Sequence, residues 1–259
     1  MASAVVVSGD GVSDELSTRL VEMRDLLGFR PRGVIDVGAN KGAWSRRVSE
    51  IFPEADVFMV EGSEERRQDL AATGLDFSIN VLAAAPGPVT WYENEKYHTG
   101  NSIFKERTKF FAEPGTRAVV RNCTTLDVLL GEEKAGVRFD FLKVDAQGAE
   151  LDVLRGASAL LAGVELVMLE LSIIDYNSGA PLAGEVIASM WNLGFGVFDV
   201  TEQHRSSTFG SQGSFLFQVD MLFIRADSPL LDKVMPDVMV SEQHRERRAR
   251  AHNGRLPKT

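Results

Sequence analysis

The segment Gly33-Val34-Ile35-Asp36-Val37-Gly38-Ala39-Asn40-Lys41-Gly42 restricts the fold more than any other part of the chain. An apolar run broken by one acid opens into two glycines, which predicts a buried strand turning sharply into a helix. Glycine lets backbone pass close to a ligand, and the first turn of a helix leaves N–H groups unpaired. Residues 43–52 (AWSRRVSEIF), stopped by Pro53, supply an amphipathic helix. Strand, glycine turn and helix in this order form the nucleotide-binding edge of α/β proteins.

The spacing narrows the ligand. A dinucleotide turn needs Gly-x-Gly-x-x-Gly, and here Ala39, Asn40 and Lys41 separate the two glycines with no middle glycine. A P-loop needs Gly-Lys-Ser/Thr, and Gly42 is followed by Ala43 and Trp44. Both phosphate readings fit poorly. S-adenosylmethionine carries an amino-carboxylate and a ribose but no phosphate, and Asp36 would suit that cationic ligand. Residues 56–61 (DVFMVE) form a second apolar run ending in Glu61, about 20 residues past the first glycine, where doubly wound folds hold ribose hydroxyls.

The chain has 259 residues with a hydrophobic content of 44%, enough for one α/β domain with a substantial core. It contains no apolar run of roughly 18 residues, so no membrane span is expected. Residues 1–11 lack a basic start and a long apolar stretch, which argues against a signal peptide. A single cysteine, Cys123, excludes an internal disulfide. Together these point to the cytoplasm. The net charge of −9 argues against nucleic acid as a partner. Only residues 242–258 run the other way, with Arg245, Arg247, Arg248, Arg250, Arg255 and Lys258 in a stretch poor in apolar residues. Such a tail is a frayed end or a partner-contacting arm.

The pattern along the chain predicts an N-terminal helical extension (1–29), an α/β domain (30–230) and the basic tail (231–259). A helix at 13–27 is capped by Ser13 and ended by Gly28. Strands follow at 33–37, 56–60 and 77–83. Pro86-Gly87-Pro88 turns into a strand at 89–92, and a polar loop at 93–102 comes next. Later strands lie at 138–144 and 164–171, with a helix at 149–160 between them. A helix at 182–193 and strands at 196–200 and 214–224 complete the domain. Strands alternating with helices predict a doubly wound, mostly parallel sheet of Rossmann-like type with an antiparallel terminal strand.

Ligands of such sheets lie beyond the carboxyl ends of the strands, so Asp36, Glu61 and Asp145 should gather along one edge, joined by Glu170 from the next strand. Carboxylates beside a sulfonium have two uses, as a general base or as oxygen ligands for Mg²⁺. Asp145, His98 and His204 are the base candidates. The two histidines sit in the polar stretches YHTGNS and TEQHRSS, read as loops over the acceptor. Asp145 and Glu170 are the metal candidates. Gln218 and Asp220 share a strand face with apolar neighbours and read as structural polar groups needing partners.

DVGANKGAWS, FLKVDAQGAELDVLRGA and LELSIIDYNSGAPLAGEV resemble the FkbM family of S-adenosylmethionine-dependent methyltransferases. GFGVFDV, LFQVDMLFIRADSPL and Thr124-Thr125-Leu126-Asp127 are similar to further segments of that family. The resemblance spans roughly residues 30–230 and implies a class I methyltransferase fold. It also implies methyl transfer to oxygen on a sugar, polyketide or similar small molecule. By position, Asp36, Gly38, Asn40 and Gly42 should line the methionine end of the cofactor, Glu61 its ribose and Ala83 its adenine. Asp145 should stand near the transferable methyl, with Glu170, Tyr176 and Asn177 where an acceptor enters. A nicotinamide-dependent oxidoreductase, or a cofactor-binding protein without catalysis, is the alternative. The acceptor's identity and the oligomeric state, a homodimer included, stay open.

Overall fold

The computed structural model describes residues 14–109, 111, 115–206 and 213–234. Ser13 and the basic stretch 242–258 therefore lie outside the described residues. The central sheet has seven strands: β1 (Gly33–Val37), β2 (Asp56–Glu61), β3 (Asp76–Ile79), β4 (Phe141–Val144), β5 (Leu166–Ser172), β6 (Phe195–Arg205) and β7 (Leu216–Arg225). Their spatial order is β3-β2-β1-β4-β5-β7-β6. β1 pairs in parallel with β2 and β4, β2 with β3, and β4 with β5. β7 runs antiparallel to both β5 and β6. The antiparallel strand is the last in sequence but lies inside the sheet, with β6 at the edge. The strand order reverses between β1 and β4, which is where doubly wound sheets open a ligand crevice.

Both faces of the sheet are covered, as their nearly unbroken apolar runs require. Ile35, Phe58, Leu142, Leu169 and Phe223 pack on one side with Leu154, Val186 and Met190. Val34, Val57, Phe141, Met168 and Leu222 pack on the other with Trp44, Val48 and Phe29. The helix Asp14–Glu22 contributes Leu16 and Leu20 to this second cluster. Its continuation Met23–Leu27 widens into a π-helical turn and ends at Gly28 (φ 73°), the left-handed stop expected there.

Two expected elements break and a third lengthens where tertiary contact demands it. The strand foreseen at 77–83 splits at Asn80, and Val81–Leu82 leaves the main sheet to pair with Thr116–Thr124. The helix foreseen at 149–160 becomes Glu150–Arg155 and Ser158–Leu161. Gly156 between them lies so close to the Ala83 carbonyl that a Cβ would stand 2.4 Å from its oxygen. The short strand at 89–92 extends to Gly87–Asn94 and pairs antiparallel with Thr116–Thr124, a strand with no clear sequence signal. This inserted hairpin stands over the carboxyl edge of the sheet. From its loop Lys105–Glu106 pairs with Asn177–Ser178, tying the insert to the segment after β5. Among the described residues no helix is long and apolar enough to cross a membrane.

Candidate active site

A cavity of about 410 Å³ opens along the carboxyl edge, within the range of small-ligand sites. Its first half is built by the ends of β1 and β2. Gly38 (φ 77°) donates its N–H to the Val60 carbonyl at 2.8 Å. A Cβ on Gly38 would lie 1.8 Å from the Asp145 carbonyl oxygen, so no side chain fits between β1 and β4. Asn40 (φ 48°) donates its N–H to Glu61 Oε2 at 2.8 Å, and Ser63 donates to Oε1 at 2.8 Å. Glu61 thus holds the glycine turn in place while lining the cavity, and burial pushes its carboxyl up. Asn80, Val81 and Leu82, exposed to the cavity by the break after β3, complete this half with Trp91 of the hairpin.

The second half is built by β4 to β7. Asp145 follows β4 and accepts from Lys143 Nζ at 3.5 Å and Gln147 Nε2 at 3.2 Å. Register sets Glu170 of β5 opposite Asp220 of β7, and Asp220 opposite Glu202 of β6. Three carboxylates therefore stand in one row, where like charges destabilise one another. Burial first, then the charges of Asp145 and Asp220, push Glu170 well above the usual carboxylate range. Burial and Asp220 raise Glu202, and burial and Asp145 raise Asp220 against the opposing His204. His204 answers the row from one step along β6, its Nε2 3.8 Å from Asp220 Oδ1. Asp220 holds the His204 imidazole above its ordinary value of 6.5, burial opposing. Tyr176, with its ring edge-on to Phe217, receives a hydrogen bond from Gln218 Nε2 at 2.8 Å.

Of the residues singled out by sequence, Gly38, Asn40, Glu61, Asp145, Glu170, Tyr176, His98 and His204 all line this cavity. Four do not. Asp36 has no exposed surface; its carboxylate receives Ser45 Oγ at 2.7 Å and Lys143 Nζ at 3.1 Å, so it balances a buried cation instead of facing the ligand. Gly42 (φ 73°) starts the helix Ala43–Ile51 and packs inward, where a Cβ would meet Thr73 Cγ2 at 2.7 Å. Ala83 is drawn into a small cluster with Val81, Trp91 and Cys123. Asn177 is 2% exposed, its amide without a hydrogen-bond partner, packed beside Gly148.

The two histidines also part company. His204 belongs to strand β6 and not to a loop, because the long pairing with β7 carries the strand through it. His98 does sit in the hairpin loop, in the short 3₁₀ turn His98–Gly100. That loop is fastened beyond β2 by Asn101 Nδ2 to Ser63 Oγ at 3.1 Å. Gln218 and Asp220, read from the sequence as structural, line the cavity as well.

Among the described residues, the one group of three or more side chains close enough to share a cation is Glu170, His204 and Asp220, with donor atoms within 4.8 Å. Asp145, beside Glu170, is engaged by Lys143 and Gln147. Mg²⁺ favours an all-oxygen shell, so a set containing an imidazole fits it badly. The sequence missed Lys143, Gln147 and Glu202. Lys143 had a legible signal: a lysine inside an apolar strand needs a buried acid.

Residues 36–197 match the methyltransferase FkbM domain. The chain belongs to this family. As an FkbM-domain protein it is an S-adenosylmethionine-dependent methyltransferase with a class I, Rossmann-like fold. Solved structures similar to it include the precorrin-6y C5,15-methyltransferase of Geobacter metallireducens GS-15, at 8% identity, covering 87% of this chain and 94% of that one with a TM-score of 0.44. The O-methyltransferase TomG of Streptomyces achromogenes, in complex with the same cofactor, is 14% identical over 83% of this chain and 82% of that one, TM-score 0.43. A TehB-like methyltransferase of Corynebacterium glutamicum is 11% identical over 83% and 90%, TM-score 0.39. No curated protein matches the chain in sequence.

Proposed function

We propose that the protein transfers the methyl group of S-adenosylmethionine to a hydroxyl oxygen of a sugar, glycoside or similar small polar acceptor. The observation that carries this reading is the second half of the cavity. There Glu170, Tyr176, Glu202, His204 and Gln218 offer the hydrogen-bonding groups a polyol uses, beside the aromatic faces of Tyr176 and Phe217. In this reading the cofactor lies across the first half, its methionine end over Gly38 to Lys41 and its ribose on Glu61. The adenine lies beside Asn80 to Leu82. Glu61 keeps a free lone pair on each oxygen after accepting from Asn40 and Ser63, enough for two ribose hydroxyls.

Methyl transfer from a sulfonium is an in-line displacement, and holding acceptor oxygen, methyl carbon and sulfur in line supplies much of the rate. Asp145 stands at the crossing of the two halves, where the methyl would be presented. A hydroxyl must lose its proton as it attacks, and His204 is the base we assign, with Asp220 steadying the imidazolium that results. The reaction so drawn uses no metal.

Incubation with S-adenosylmethionine carrying a trideuterated methyl and a panel of methyl glycosides tests this directly by mass spectrometry. A labelled methyl ether that forms equally well in excess chelator is the expected product. Methyl incorporation only into nitrogen or carbon acceptors, or only when Mg²⁺ is restored, would overturn it. For the cofactor half, Glu61→Gln puts an amide N–H against one of the two backbone N–H groups. The dissociation constant of S-adenosylhomocysteine, measured by calorimetry, is expected to rise about 10- to 100-fold, the worth of a hydrogen bond to a charged group. An unchanged constant would remove Glu61 from the site.

A further inference from the structure

The turn Ala146-Gln147-Gly148 after β4 contains a backbone conformation that its sequence does not favour. Gln147 has φ 52°, in the left-handed region that a long unbranched side chain rarely occupies, whereas glycine or asparagine would sit there at lower cost. Asn40, the other non-glycine residue with positive φ among those described, is of the tolerant type. The turn is pinned from both sides. Ser102 Oγ of the insert donates to the Ala146 and Gln147 carbonyls at 3.1 and 3.0 Å. Glu150 Oε1 receives the Ala146 and Gly148 N–H groups at 3.0 and 3.1 Å.

What the strain supports is the reach of the side chain. Gln147 Nε2 donates to Asp145 Oδ1 at 3.2 Å and to Glu170 Oε2 at 2.6 Å. On the other side of the amide, Oε1 receives the Tyr176 hydroxyl at 3.4 Å, and Tyr176 is held in turn by Gln218. One amide thus joins the end of β4, the end of β5 and the segment after β5. It bridges the carboxyl groups of Asp145 and Glu170 across the seam between the two halves of the cavity. A strained residue whose surroundings fix it this fully points to a functional constraint.

We infer that Gln147 is a positioning residue that clamps Asp145 and Glu170 together with Tyr176, so that the acceptor is held in line with the methyl group. This rests on the methyl-transfer reading above. The clamp acts through its neighbours and not on the reacting atoms. Its loss should therefore leave donor binding alone and lower the rate of transfer.

The position allows a test that separates this role from a structural one. Gln147→Gly removes the clamp and relieves the backbone, while Gln147→Ala removes the clamp and keeps the strain. Gln147→Gly is expected to melt within about 2 °C of the parent protein, and Gln147→Ala lower. Both should bind S-adenosylhomocysteine within about threefold of the parent, with kcat on the glycoside panel down about 100-fold, the scale of a misaligned transfer. Retention of kcat by Gln147→Gly would overturn the proposal, as would activity that follows melting temperature across the two variants. A crystal of Gln147→Gly with S-adenosylhomocysteine gives a reading that needs no acceptor. Asp145 and Glu170 carboxylates that have parted support the clamp; carboxylates that have not moved refute it, even if the hydroxyl acceptor itself proves to be wrong.

Discussion

His204→Asn is expected to lower kcat by about 10²- to 10⁴-fold, the usual worth of a positioned base. The melting temperature should change little, since the side chain is only partly buried at the sheet edge. The pH profile carries the sharper prediction. Only the neutral imidazole can take the hydroxyl proton, so the rate should climb with pH and level off once His204 has lost its own. Asp220 raises that midpoint above 6.5 by favouring the charged ring, with Glu202 adding to it and burial opposing. Asp220→Asn removes the largest raising contribution and leaves the burial, so the rising limb should move to lower pH even as the maximum rate falls. Steady-state kinetics from pH 5 to pH 9 on both variants check this, with about tenfold loss per pH unit expected below the midpoint. A rising limb that survives unchanged in His204→Asn would assign the base elsewhere, with Asp145 or His98 next in line.

Lys143→Met should have the largest effect on stability. Lys143 and Asp36 face each other in register on β4 and β1, 7% and 0% exposed, with Nζ 3.1 Å from Oδ1. The facing carboxylates, Asp36 and then Asp145, raise the lysine and outweigh the burial that alone would lower it. The pair's net worth is small, because desolvation offsets its attraction, but breaking it leaves Asp36 in the core without its cation, with only the Ser45 hydroxyl as partner. That costs about 3–5 kcal/mol. Urea denaturation of the variant and the parent side by side at one pH checks this. Lys143→Met with Asp36→Asn should recover most of the loss, since no buried charge remains. A single variant as stable as the parent would mean that the two side chains do not depend on each other.

The same pair shows how far the sequence could be read. The strand-turn-helix around Gly38 was legible because its chemistry is local: apolar residues of β1, glycines with positive φ, and a helix stopped by Pro53. Glu61 was legible because its position follows from one βα unit. Asp36 was misread as a ligand contact, since its partner lies 107 residues away on a neighbouring strand and only register brings the two together. His204 was misread as a loop residue because β6 draws its length from pairing with β7, not from the alternation of its own side chains. The row Glu170, Asp220, Glu202 has no sequence signature, being written across three strands, one of them reversed.

The sequence by itself pointed to the family through the resemblance of its segments, and to the nucleotide-binding strand-turn-helix at residues 33–42, whose spacing together with Glu61 fits S-adenosylmethionine better than a phosphate ligand. The tertiary structure decided which carboxylates face the cavity, which are consumed by a buried lysine, and where a histidine meets an acid. The reason is physical. Backbone conformation and helix termini depend on residues a few positions apart, while charge pairing and proton affinity depend on what register and burial place within a few ångströms.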